Sequence, residues 1–190
     1  LAQLAGREPL EFRIGHSEDE RAVACMKKLQ TMLEGVSIKN EEGMGYAFSR
    51  YKNSTSYCAM AAQVAVNRTT GEVLVKKMWA VVDAGETINP DGLKNQTEGG
   101  MIQSASWALK EEVRFDAHHI TSLDWNSYPI LRFPETPEVE VEVIDRVDQP
   151  PMGAGEAAQA PATAAIVNAI FDATGVRIRR LPVNGELLKV

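Results

Sequence analysis

At 190 residues, with 44% apolar and 24% charged side chains, the chain has material for one core and the balance of an ordinary globular domain. A formal net charge of -6 argues against a nucleic-acid partner, because phosphate-backbone binders present a clustered basic face. No apolar run approaches the ~20 residues that span a bilayer, and Cys25 and Cys58 stand in no metal or redox spacing, so the chain reads as soluble, cytoplasmic or periplasmic, with reduced thiols and no metal held by its own side chains.

Residues 1–6 read as the end of a helix closed by Gly6. Ser17-Glu18-Asp19-Glu20 forms a capping-box pattern that starts a second helix, with Ala22, Met26, Leu29 and Leu33 as its apolar face, packed on the outside of the fold. Residues 43–51, 57–66 and 73–83 predict three strands, the last two joined by NRTTGE, where Gly71 can take a positive φ. The expected arrangement is an antiparallel meander. Asp83, at the end of the third strand, fits a turn role through bonds to its own loop. Asn89 as a cap with Pro90 in the first helical position predicts a helix over 90–112.

His118-His119 invites reading as a metal pair, but neighbours on an extended segment point apart, and a polar turn is the better reading. Val139, Val141 and Val143 alternate with Glu138, Glu140 and Glu142, the period of a strand with one core face and one wet face. A second long helix is expected over 157–173, with a narrow stripe of Ile166, Ala169, Ile170 and Ala173. Arg177, Arg179 and Arg180 interleave with Val176, Ile178 and Leu181 as in a strand wet on one side. This order of elements predicts an α+β fold, a mostly antiparallel sheet with packed helices, in one domain over residues 1–190.

Two places suggest chemistry. Glu156 follows Gly153 and Gly155 at the mouth of the small-residue helix, where free N–H groups and the positive end of the helix dipole suit an anion or a base. The plainer alternative is that Glu156 caps the helix. Gln96 is followed by Gly99 and Gly100 on its own side of the earlier helix. Each glycine there costs about 0.5–1 kcal/mol relative to alanine, so the pair needs a compensating reason. Space for a ligand is one, and close helix packing is the other.

The motifs themselves resemble the C-terminal end of the large subunit of molybdenum hydroxylases, the xanthine dehydrogenase and aldehyde oxidase family, and most of all its isoquinoline 1-oxidoreductase and nicotinate dehydrogenase type. The matching blocks are VVDAGETINPDGLKNQTEGGMIQSASWALKEEV at 81–113, the Gly-Glu and its helix ending in NAIFDATG at 168–175, RIRRLP at 177–182, and, more weakly, LAQLAGREPLEFR at 1–13. Three positions depart from the family pattern: Ala84 in place of cysteine, Ser104 in place of glycine, and Ala157 in place of a frequent proline. Ser104 is expected to add bulk near the cofactor wall.

The resemblance implies molybdopterin, the molybdenum cofactor, in the complete enzyme, with Gln96, Gly99, Gly100 and Gly155 as cofactor contacts and Glu156 as the catalytic base. It implies hydroxylation of N-heteroaromatic compounds or aldehydes with water-derived oxygen. The expected partners are the remainder of the large subunit, an iron–sulfur subunit and a small-molecule substrate. The cysteine-rich cluster domain, the flavin module and the upstream glycine-rich loops of the family have no counterpart among these residues. The expectation is therefore a C-terminal part of a molybdopterin-binding domain, without cofactor or turnover when alone and prone to self-association through a bared apolar surface. A non-catalytic remnant that keeps the fold for assembly is the alternative.

Overall fold

The computed structural model describes residues 1–190. In chain order its elements are α1 (Pro9–Gly15), α2 (Glu20–Met32), β1 (Glu42–Arg50), β2 (Tyr57–Val66), β3 (Val73–Asp83), α3 (Pro90–Leu109), β4 (Glu138–Val143) and α4 (Gln159–Thr174). The sequence of β2, YCAMAAQVAV, offers no wet face, and the chain accordingly buries it on both sides within a sheet of order β1-β2-β3-β4. β1, β2 and β3 run antiparallel, as the meander reading expects, and the pairing sets Tyr57 opposite Asp83. β4 joins β3 in parallel, which requires the long crossover through α3.

Strand alternation divides the core into two layers. Cys58, Met60, Ala62, Val64, Met78, Ala80 and Val82 point to the side covered by α3 and α4. Tyr57, Ala59, Ala61, Trp79 and Val81 point to the side covered by α1 and α2, where they meet Leu10, Cys25, Met26 and Leu29. The α4 side is built from small residues, and there the backbones come close. A Cβ on Gly45 would stand 2.1 Å from the Ala165 carbonyl oxygen and 2.2 Å from the Ala169 nitrogen, and one on Gly43 would stand 2.2 Å from the Ala169 oxygen. Glycine at two alternate positions of β1 is what lets the helix lie against the strand. The same helix bonds the strand's outer edge: Asp172 accepts from the Met44 N–H at 2.9 Å and Asn168 donates to the Tyr46 carbonyl at 3.0 Å.

Several local expectations need correction. Residues 1–6 form turns, and the first helix is α1, with Pro9 in its first turn and Glu8 accepting from the Glu11 N–H. Asp19, not Ser17, caps α2, its carboxylate accepting from the N–H groups of Arg21 (3.0 Å) and Ala22 (3.2 Å). α3 stops at Leu109 and α4 starts at Gln159, each shorter than its apolar pattern. Residues 177–180 are not a strand: Arg177 lies 3.3 Å from the centre of the Phe171 ring and Arg180 pairs with Glu112 at 3.0 Å. The outer edge of β1 is bonded to α4 at Met44 and Tyr46, where a further strand would pair. Residues 118 and 119 do form a polar turn, both N–H groups donating to Asp116.

Candidate active site

The residues between β4 and α4 are threaded back over the end of β3. Gly85, at φ +77°, sits under the Pro150 carbonyl, where a Cβ would come within 2.1 Å of the oxygen. Backbone bonds from Glu86 to Gln149 (3.0 Å), Arg146 to Gly85 (3.1 Å) and Met152 to Ala84 (2.7 Å) fasten the two segments. Asp83 is the pin of this junction. Its fully buried carboxylate accepts from Arg21 of α2, from Arg146 of the returning segment and from the Gly85 N–H at 3.1 Å. Burial alone would push this carboxyl up, but the two guanidiniums outweigh it and hold it below the usual carboxylate range. The turn role read from the sequence is thus one part of a larger one, a buried charge tying α2, β3 and the loop together.

From that fixed point the chain runs into residues 153–156, and three side chains from other elements hold it there. Ser56, at the start of β2, donates to the Gly153 carbonyl at 2.9 Å. Gln96 of α3 donates from Nε2 to the Gly155 carbonyl at 2.7 Å. Tyr51, in the β1–β2 connection, donates its hydroxyl to the Glu156 carboxylate, and that carboxylate holds the phenol above its usual range. Gln96 and Glu156, sixty residues apart in sequence, therefore flank one loop.

Glu156 does not cap α4. The N-cap is Ala158, with no side-chain bond to the first turn, and Glu156 keeps an exposed carboxylate whose one side-chain partner is Tyr51. Gly153 and Gly155 lie outside the left-handed region, so conformational freedom is not their reason. A Cβ on either would meet nothing within 4 Å, and the same holds for Gly99. Gly100 differs: it is buried, with the Ala158 Cβ 3.5 Å from where its own would be, and so lets α3 sit on the beginning of α4. Ser104, expected to crowd this wall, is buried and donates to the Gly100 carbonyl at 2.8 Å, leaving its hydroxyl inside the helix contact.

The donor set suits a polar, anionic group lying along the loop. The N–H groups of Gly155 and Glu156 have no partner in the chain, Oε1 of Gln96 is free, and the open sides of Gly99, Gly153 and Gly155 leave room for close approach. These residues fit one wall of a molybdopterin site. They do not enclose it, since every group named lies on a single surface. No cluster of three or more His, Cys, Asp or Glu side chains is placed to hold a metal ion directly. Burial pushes the Cys25 thiol up to about 12 and the Cys58 thiol higher still, so neither is a nucleophile. No helix is long and apolar enough to cross a membrane.

Ser56, Tyr51 and the Asp83–Arg21–Arg146 group escape a reading of the sequence. The clue for Asp83 is its position, an acid directly after the apolar run AVV at a register that continues into the core. Nothing in the polar stretch YKNSTS marks Tyr51 from its neighbours.

Comparison with known proteins gives the arrangement its context. Residues 11–137 match the model of the molybdopterin cofactor-binding domain. Over its full length the chain is 41% identical to a nicotinate dehydrogenase subunit of Pseudomonas putida, covering 17% of that protein, and 29% identical to the beta subunit of isoquinoline 1-oxidoreductase from Brevundimonas diminuta, covering 25% of it. The aldehyde oxidoreductase of Desulfovibrio gigas aligns with a TM-score of 0.61 and 31% identity over 70% of this chain and 15% of that one. The chain thus spans about a sixth to a quarter of the length of the relatives it matches. The α+β architecture and these matches agree, and the chain belongs to the molybdopterin cofactor-binding domain family of the xanthine dehydrogenase and aldehyde oxidase type.

Proposed function

We propose that this chain supplies one wall and the catalytic base of a molybdenum hydroxylase that acts on N-heteroaromatic compounds or aldehydes. The observation that carries the reading is the convergence of Ser56, Gln96 and Tyr51 on residues 153–156, which presents a carboxylate that no helix cap requires. When bound, molybdopterin supplies the two-electron oxidation; the protein contributes position and proton transfer. The N–H groups of Gly155 and Glu156 and Oε1 of Gln96 would hold it, Gly99 would leave room for it, and Gly100 keeps α3 seated so that Gln96 reaches the loop. Glu156 accepts the proton from the water-derived oxygen that attacks the substrate carbon, a step worth ~10²–10⁴-fold.

The relatives are several times longer than this chain, and we assign the remaining walls, and a route for electrons through an iron–sulfur subunit, to residues beyond these 190. Glu156→Gln in the complete enzyme preserves shape and removes basicity. Turnover is expected to fall at least ~10²-fold with molybdenum content unchanged. A variant that turns over normally ends the catalytic assignment.

A further inference from the structure

The β1–β2 connection reaches the site by an unusual backbone. β1 ends at Arg50, residues 51–53 make one tight turn, and Lys52 and Asn53 both take positive φ, +50° and +58°, a conformation that asparagine tolerates and lysine rarely adopts. The turn is held from within: the Tyr51 N–H donates to the Ser56 carbonyl at 2.8 Å, and the Thr55 hydroxyl to the Tyr51 carbonyl at 2.8 Å. It is held from outside by Ser56, buried and bonded to Gly153. Strained backbone fixed at both ends brings one side chain to one place, the Tyr51 hydroxyl against the Glu156 carboxylate. No other hydrogen bond or ion pair reaches that carboxylate.

We propose that Tyr51 is the positioning residue of the base, orienting the Glu156 carboxylate toward the substrate side; this rests on Glu156 having the role given above. A carboxylate on a three-bond stem at a surface samples many directions. A single donor fixed by a strained turn selects one of them, with one oxygen occupied by the phenol and the other left for the substrate side.

The test is Tyr51→Phe in the complete molybdenum enzyme, beside Glu156→Gln. The phenylalanine variant is expected to keep its melting point and molybdenum content and to lose about tenfold in kcat with KM nearly unchanged. A second measurement does not need turnover: the carboxylate stretching band in the infrared difference between wild type and Glu156→Gln should change position when Tyr51 is Phe, because one oxygen loses its only hydrogen-bond donor. If the band stays in place, Tyr51 has no such role, whether or not kcat falls. If Glu156→Gln is itself fully active, the failure lies with the base and not with its positioning. Loss of folding in Tyr51→Phe leaves the infrared measurement to be made on Tyr51→Leu, which removes the same donor, and an unmoved band there overturns the proposal equally.

Discussion

Glycine serves opposite purposes at two places in this molecule. In β1, Gly43 and Gly45 are filled space: the backbone of α4 occupies the volume a side chain would need. Around the site, Gly99, Gly153 and Gly155 are empty space, with no atom within 4 Å of where a Cβ would be. The first kind is a requirement of the fold and is complete within the chain. The second has no reason within the chain, and in the middle of α3 it carries a cost. An unexplained cost at an open surface next to a carboxylate is what a binding wall looks like before its ligand is counted.

Substitution separates the two kinds. Gly45→Ala forces a Cβ into the α4 backbone, which cannot move as a flexible side chain can, and is expected to cost at least about 3 kcal/mol or to prevent folding; urea midpoints and soluble yield report it. A loss under about 1 kcal/mol would show that the seam is looser than described. Asp83→Asn, which leaves Arg21 and Arg146 facing each other without their acid, is expected to cost about 2–3 kcal/mol, less than a fully dry pair because both arginines reach water.

That variant also changes the acid side of the stability profile. The Asp83 carboxyl is depressed in the folded chain, so its contribution is present above the unfolded value of about 3.9 and is lost as pH falls through the folded value. Wild type should weaken below about pH 4, and Asp83→Asn should weaken less steeply over the same range; equal slopes would contradict the ion triad. The smallest effect has the opposite sign. Gly99→Ala is expected to stabilise the chain by about 0.5–1 kcal/mol, since open space receives the methyl and the helix gains a better former. In the complete enzyme the same methyl should lower the molybdopterin content. A variant both more stable and fully loaded would remove Gly99 from the wall.

Much of this was legible in the sequence where a local rule and the tertiary demand agree. The limits of β2 and β3 follow from their apolar runs and the turn between them, and the start of α3 follows from Asn89 and Pro90. Helix ends were less legible. α3 stops three residues before its pattern does because Lys110 turns away and pairs with Glu135, a partner 25 residues on. Ser17 and Asp19 both satisfy a cap rule, and only the packing of α2 on the sheet decides between them. At the site, Gln96 and Glu156 were visible through glycine context and family motif. Ser56, Tyr51 and Arg146 act across 97, 105 and 63 residues, a separation over which neither periodicity nor propensity carries information.

The bonds from Asn168 and Asp172 to the rim of β1 give the sheet a direction. With these two rim groups taken, a strand joining beside β1 would have to displace Asn168 and Asp172 of α4, while the far side of β4 makes no hydrogen bond within the chain. Growth of the sheet is thus one-way, like a shelf with a bookend at one side. A polypeptide that extends it would align with β4, whose Glu140 and Glu142 are already paired with Lys77 at 2.8 Å and Lys28 at 3.6 Å and whose Glu138 alone keeps an unpaired charge for such a partner to meet.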